Sequence, residues 1–296
     1  MEQKELENWR KSGEIASQIM KKALSLAKPN VPLLEIAEKL EAEAEKLKVK
    51  WALPVNLSIN EIAAHYSPQH EDKTLASGLL KIDLGISVDG CISDISKSVD
   101  LSPEQKYKNL IRASEDALKE AIKTAKHNIE VNKIGKAIQD SITKSGFSPI
   151  RNLAGHQLEK FMIHAGINIP NYDNNNAEKL KEGMYAIEPF ATTGEGIVQD
   201  SKPSGIYMLL QAKPVRDQKT REILEFIEKE YSTLPFSARW LVKKFGLRAL
   251  ISLKTLEQNK SLHHFMQLIE KSKMPVSQAE HTILVEKDKI TVLTEG

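Results

Sequence analysis

The chain has 296 residues, 41% hydrophobic and 28% charged, with a formal net charge of +2; that is length for one large domain, or one domain carrying a smaller one, around a sizeable core. So small a net charge surrounds the molecule with no strong field and implies neither nucleic acid nor an anionic membrane as a partner. The single cysteine, Cys91, excludes an intramolecular disulfide, and the start Met1-Glu2-Gln3-Lys4-Glu5-Leu6 runs straight into an amphipathic pattern with no signal-peptide core or membrane span, so a reducing, cytoplasmic setting is expected.

Apolar spacing predicts a first helix from about Glu5 to Ala27, with Ile15, Ile19, Ala23 and Leu26 on one stripe. Pro29 and Pro32 separate it from a second, carrying Leu33, Ile36, Ala37, Leu40, Ala44 and Leu47. Strand-like runs follow at Val55–Ile59 and Leu79–Leu84, after which the order begins again with a helix from roughly Glu104 to Ala125 and another bearing Ile134, Ile138 and Ile142, stopping at Gly146. Three short segments recur in register across the two stretches: Ala27-Lys28-Pro29-Asn30-Val31 with Ala125-Lys126-His127-Asn128-Ile129, Pro54–Ser58 with Ile150–Ala154, and Leu75, Gly78, Ile82-Asp83 with Leu180, Gly183, Ile187-Glu188. Such self-similarity predicts two related helix-helix-strand halves about a pseudo-twofold axis, with Asp83 and Glu188 as equivalent carboxylates facing a shared centre.

From about 195 to 270 helices dominate the pattern: Thr220 to Tyr231, Phe236 to Phe245 and Leu250 to Asn259. A closing strand pair is expected over Glu280–Val285 and Ile290–Leu293, with Lys287-Asp288 at its turn. The expected fold is α+β, with catalytic-domain residues 1–194 (halves of about 1–100 and 101–194), a helical insert subdomain at 195–270, and C-terminal strands at 271–296 that complete the first domain.

Asp89-Gly90 is a strong two-residue hairpin signal, because both positions accept positive φ. Centring the turn there pairs Val88 with Cys91, Ser87 with Ile92 and Gly85 with Asp94, so Asp83, Gly85 and Ser87 share a face with Ile92 and Asp94. Asp83 and Asp94 become diagonal cross-strand neighbours, roughly 7–8 Å apart at the backbone. Two carboxylates converging on an apolar sheet call for a neutralising partner, and oxygen donors with some imidazole suit Mn, Fe, Co or Zn. Taken alone, the hairpin fits two solvent-facing strand residues as well. Further donors on strand-like segments sharpen the choice: Gly155-His156, then Glu188 in Ala186-Ile187-Glu188-Pro189-Phe190, then Glu280 at the start of the last hairpin.

The set Asp83, Asp94, His156, Glu188 and Glu280 resembles the five-ligand set of the pita-bread metallopeptidases. The segments Pro54–Tyr66, Lys81–Gly85, Ala154–His156, Ile163–Gly166, Ala186–Thr192 and Glu280–Ile283 are similar to type 2 methionine aminopeptidases, and the resemblance covers nearly the whole chain, including the insert. With the first repeat starting almost at Met1, the archaeal form is expected rather than the eukaryotic one.

That resemblance implies a pita-bread (creatinase/aminopeptidase) fold whose insert is winged-helix-like, and two divalent metal ions per chain, with Co, Mn, Fe, Zn and Ni all compatible. It implies that Asp83 and Asp94 contact one metal, that Asp94 and Glu280 bridge to the second, and that His156 and Glu188 bind there. A hydroxide bridging the two metals would attack the peptide bond, Glu188 would act as general base and then acid, and His164, with His65, would line the substrate side and steady the developing oxyanion. Leu53, where relatives carry Phe, and Ile163 would contact the methionine side chain. Implied partners are nascent polypeptide N-termini met in proximity to the ribosome, with no membrane, no specific nucleic acid and a monomeric enzyme. Two other readings fit parts of the pattern: a catalytically inactive pita-bread homologue acting as an RNA- or protein-binding module, and a prolidase-type hydrolase.

Overall fold

The computed structural model describes residues 2–295; Met1 and Gly296, the outermost residues of the expected catalytic-domain segments, lie outside them. The chain opens with α1 (Gln3–Leu26), α2 (Leu33–Lys46), β1 (Lys50–Ile59), β2 (Ile62–Ala64), β3 (Leu79–Val88) and β4 (Cys91–Asp100). It continues with α3 (Lys108–Thr124), α4 (Val131–Lys144), β5 (Ser148–Pro149), β6 (Ala154–Glu159), β7 (Met162–Pro170), β8 (Gly183–Ile187) and β9 (Phe190–Thr192). Then come β10 (Val198–Leu209), α5 (Gln218–Glu230), β11 (Phe236–Ser237), α6 (Ala238–Phe245), α7 (Arg248–Gln258) and β12 (Leu262–Glu270), and the chain closes with β13 (Val276–Gln278), β14 (His281–Val285) and β15 (Ile290–Val292).

Two sheets carry the architecture, one ordered β1-β3-β4 and the other β15-β14-β8-β6-β7. Strand alternation sends Ile82, Leu84 and Ile86 of β3 into a core shared with Ile15 and Ile19 of α1 and Ile36 and Leu40 of α2. The second sheet does the same with Tyr185 and Ile187 of β8, packed with Leu110 of α3 and Ile134 and Ile138 of α4. The opposite faces meet in a smaller apolar cluster that includes Ala52, Ile92, Leu158, Met184, Ala186 and Leu284. Each helix pair therefore covers one outer face, and the inner faces are left to build a site.

The hairpin register matches the sequence expectation pair for pair: Val88 with Cys91, Ser87 with Ile92, Gly85 with Asp94. Asp89 and Gly90 have φ of 52° and 86°, the left-handed conformations such a turn requires. α3 starts at Lys108 rather than near Glu104, because the Asp100 carboxylate accepts bonds from the Ser102 and Tyr107 amides and holds the intervening residues in a turn. α6 starts at Ala238 rather than Phe236, where the Ser237 hydroxyl caps it by accepting from the Arg239 amide.

Residues 195–270 differ most from expectation. Beside α5, α6 and α7 they contain the long antiparallel pair β10 and β12. Pro203 and Gly205 interrupt the apolar alternation of β10, and its ladder is irregular on both sides of Pro203, so no period-2 signal marks it. Trp240 and Phe245 pack against the apolar core formed by α5, α6 and α7. The Asp173–Asn176 loop lies along α4: the Asn132 amide donates to the Asn176 carbonyl, and the Asp173 amide to the Gln139 side-chain oxygen. Short Asx turns hold that loop against the helix. Among the described residues, no helix is long and apolar enough to cross a membrane.

Candidate metal centre and active site

All nine residues singled out from the sequence line one cavity of about 170 Å³: Leu53, His65, Asp83, Asp94, His156, Ile163, His164, Glu188 and Glu280. Pockets that take drug-sized ligands run to roughly 300–1,000 Å³, so this one has room for one residue of a chain rather than an extended segment. A larger open groove of about 820 Å³ between α3 and α4, bordered by Arg112, Asp116 and Lys119, contains none of the nine.

Local structure explains how each arrives. Asp83 sits mid-strand in β3 and Asp94 in β4 stands opposite Gly85, so the two carboxylates meet diagonally over a residue without a side chain. His156 is the third residue of β6, on a strand as expected, and pairs with Ala186 of β8. Glu188 lies one residue beyond β8, where Pro189 ends the ladder and frees its carboxylate to turn inward. Glu280 precedes β14 and bridges to Ser96 of β4 through backbone, which ties the last hairpin to the first sheet. Asp94 is fixed twice by Thr282, whose hydroxyl accepts from the Asp94 amide at 2.7 Å and donates to its carbonyl at 2.8 Å.

Ligand atoms of Asp94, His156 and Glu280 all lie within 4.8 Å of one another. His156 Nε2 is 4.0 Å from Asp94 Oδ2 and 3.7 Å from Glu188 Oε1. Burial pushes the Asp83 carboxyl up to about 7 and holds Asp94, Glu188 and Glu280 well above the usual carboxylate range, each of the latter three raised further by the charges of its neighbours. Burial and the nearby His164 hold the His156 imidazole well below its usual value. Asp83 Oδ1, Asp94 Oδ1 and Glu280 Oε1 are buried without a hydrogen-bond partner. Buried carboxylate oxygens without donors are costly, and a cation is the one partner that satisfies several at once. The residues fit divalent metal: oxygen donors with one imidazole suit Mn, Fe, Co, Ni or Zn without selecting among them.

The two remaining histidines differ. His164, on β7, stacks edge-on to His156 with ring centroids 4.4 Å apart, and desolvation draws it down to about 4 although one side of the ring opens to the cavity. His65 follows β2 with φ of 64°, and its Nδ1 lies 3.1 Å from the Met266 carbonyl. A carbonyl only accepts, so Nδ1 carries the proton and Nε2 of the neutral ring is an acceptor. Burial lowers the His65 pKa and favours that neutral form. Held that way, the neutral ring meets a substrate as an acceptor; donation to a developing oxyanion would need the doubly protonated ring.

Sequence reading missed Gln278, which is 1% exposed and donates its carboxamide to Glu188 Oε2 at 3.3 Å and Glu280 Oε2 at 3.4 Å. The signal was the two-residue spacing from Glu280, which in extended chain puts both side chains on one face. Lys81, two residues before Asp83, is fully buried but does not line the cavity; it donates to the Asn60 carbonyl at 2.7 Å. Ile206, Pro235, Phe265 and Leu268 also line the cavity, so the 195–270 segment forms part of its wall.

The sequence model of metallopeptidase family M24 matches residues 7–232. A methionine aminopeptidase from Pyrococcus abyssi is 46% identical over 289 residues, covering 96% of this chain and 97% of the relative. Among solved structures, a thermophilic Arx1 superimposes with a TM-score of 0.86 at 16% identity, covering 99% of this chain and 91% of that one. The methionine aminopeptidase of Thermotoga maritima does so at 0.70 with 19% identity, covering 100% and 98%. At such identities the structures speak to the pita-bread fold alone, whereas the sequence relatives reach further. The chain belongs to metallopeptidase family M24, as an aminopeptidase of the archaeal methionine aminopeptidase type.

Proposed function

We propose that the chain removes N-terminal methionine from polypeptides, preferentially before a small second residue, with two divalent cations held by Asp83, Asp94, His156, Glu188 and Glu280. One observation carries the reading: three buried carboxylates, the partly open carboxylate of Glu188 and one buried imidazole converge at a small, partly apolar cavity. Cations bound there supply Lewis acidity and an acidified water. The protein's own groups do the rest. Glu188 keeps 15% of its side chain open to the cavity, with Oε1 toward His156 and Oε2 held by Gln278; it takes a proton and returns it to the nitrogen of the departing amine. His164, neutral and facing the cavity, supplies an N–H to the carbonyl oxygen as charge develops. His65 accepts at Nε2 from a substrate amide N–H. Leu53 and Ile163 receive the methionine side chain, and a flexible thioether suits that aliphatic wall.

The proposal keeps 1–194 with 271–296 as the catalytic domain and 195–270 as an insert of winged-helix type. It places a monomeric enzyme in the cytoplasm, acting on nascent chains near the ribosome; support comes from the sole, free and buried cysteine and from the substrate class of the relatives. The inactive-homologue and prolidase readings are not favoured, because all five donors share one cavity and the similarity to methionine aminopeptidases spans nearly the full chain.

The test is release of methionine from Met-Ala-Ser by metal-free protein before and after addition of Co or Mn, beside Glu188→Ala. Metal-dependent release that is lost in the variant is expected. Folded, metal-loaded protein that releases nothing would return the inactive-homologue reading.

A further inference from the structure

One buried charged group has no part in the chemistry above. Arg239, at the start of α6, is 5% exposed, and each of its three guanidinium nitrogens donates a hydrogen bond. Nη1 and Nη2 donate to the two carboxylate oxygens of Glu41 on α2 at 2.8 and 2.7 Å, and Nε donates to the Pro68 carbonyl at 3.0 Å. Trp240 Nε1 adds a third donor to Glu41 at 2.6 Å. A bidentate fork of this kind is geometry that arginine provides and lysine does not. Burying a charge pair returns little net stability compared with apolar packing, so its placement points to a geometric role.

Pro68 lies three residues beyond His65. The same short segment is held again by Gln69, whose Nε2 donates to the carbonyls of Ser67 and of Ser204 in β10, both at 2.7 Å. Gly205 makes room for that contact, since a Cβ there would overlap the Gln69 carboxamide. His65 itself is tied to Met266 of β12. The backbone from His65 to Gln69 therefore rests on α6, β10 and β12, all within residues 195–270. None of the five donor residues takes part in these ties.

We propose that Arg239 is a positioning residue of the aminopeptidase reaction: clamped on Glu41, it holds the Pro68 carbonyl and thereby sets the His65 ring, with its accepting Nε2, on the cavity wall. The proposal rests on the peptidase reading for its kinetic consequence but not for its structural one. The guanidinium itself touches no substrate.

The experiment uses the full chain with Arg239→Met, Arg239→Lys and Glu41→Gln, each alone and combined with His65→Ala. Arg239→Met is expected to lower kcat/KM for Met-Ala-Ser on the order of tenfold to a hundredfold, the scale of a misplacement of about 1 Å. Calorimetric Mn binding keeps its stoichiometry and affinity. Arg239→Lys restores only part of the loss. With His65→Ala already present, Arg239→Met changes kcat/KM less than about twofold, because residues acting through one another are non-additive. In metal-free protein labelled with nitrogen-15 histidine, the His65 Nδ1 resonance moves in Arg239→Met. Losses that multiply in the double variant, or an unmoved His65 resonance, overturn the proposal. If Arg239→Met does not fold, Glu41→Gln, which keeps the size of its partner, carries the same cycle. A wild-type protein without activity would sink the peptidase reading, and the His65 resonance would still decide the clamp.

Discussion

Asp94 faces Gly85 directly across the β3–β4 hairpin, and Leu53 faces the same glycine from the other side in β1. A Cβ on Gly85 would overlap the end of the Leu53 side chain and crowd Ala52. The glycine thus lets a wall residue of the cavity and a carboxylate sit on adjacent strands without displacing each other. Gly85→Ala is expected to cost about 1–3 kcal/mol of stability by overpacking. Because the displaced atoms are the free end of Leu53, the activity lost should appear as a raised KM for methionine peptides. Adding Leu53→Ala should relieve the crowding and recover stability in thermal melts; a double variant less stable than either single one would contradict this account.

Gln278 places one carboxamide between Glu188 and Glu280. Partners that orient metal-binding carboxylates are typically worth 10–100-fold in metal affinity. Gln278→Leu is expected to weaken Mn or Co binding on that order, with the fold retained by circular dichroism. Calorimetric titration of metal-free protein reads this directly, and affinity equal to wild type would remove Gln278 from the site.

The four clustered carboxyls are raised chiefly by burial, Asp83 to about 7. A carboxyl raised on folding is more protonated in the folded state than in the unfolded chain, whose carboxyls titrate near 4. Its contribution to stability is therefore full below that value and lost as pH rises through the folded one. Metal reverses the trend, since it binds only the deprotonated ligands. The rise in Tm caused by saturating Mn should be larger at pH 8 than at pH 6, and titration near pH 6 should release protons into the buffer. A pH-independent rise in Tm would show that these carboxyls are already ionised in the metal-free fold.

Much of the site could be read in advance because its core is local. Asp89-Gly90 defines a turn, and strand alternation then places Asp83 and Asp94 on one face without reference to anything distant. Helices α1, α2 and α4 follow their apolar stripes to within a residue or two. Where expectation strayed, a specific interaction won. Asp100 capped a turn that delayed α3, and Ser237 capped α6 two residues later than expected.

By itself, the sequence determined the hairpin, the apolar faces of the helices and the residue types that can bind metal, because each depends on neighbours within a few positions. Only the tertiary structure decided the rest. Val198 pairs with Glu270 and Arg239 with Glu41, which is 198 positions away, and Gln278 reaches Glu188 across 90. Partners so far apart leave no periodic trace in either segment; they are selected by which packed surfaces the two sheets and residues 195–270 bring within hydrogen-bonding distance.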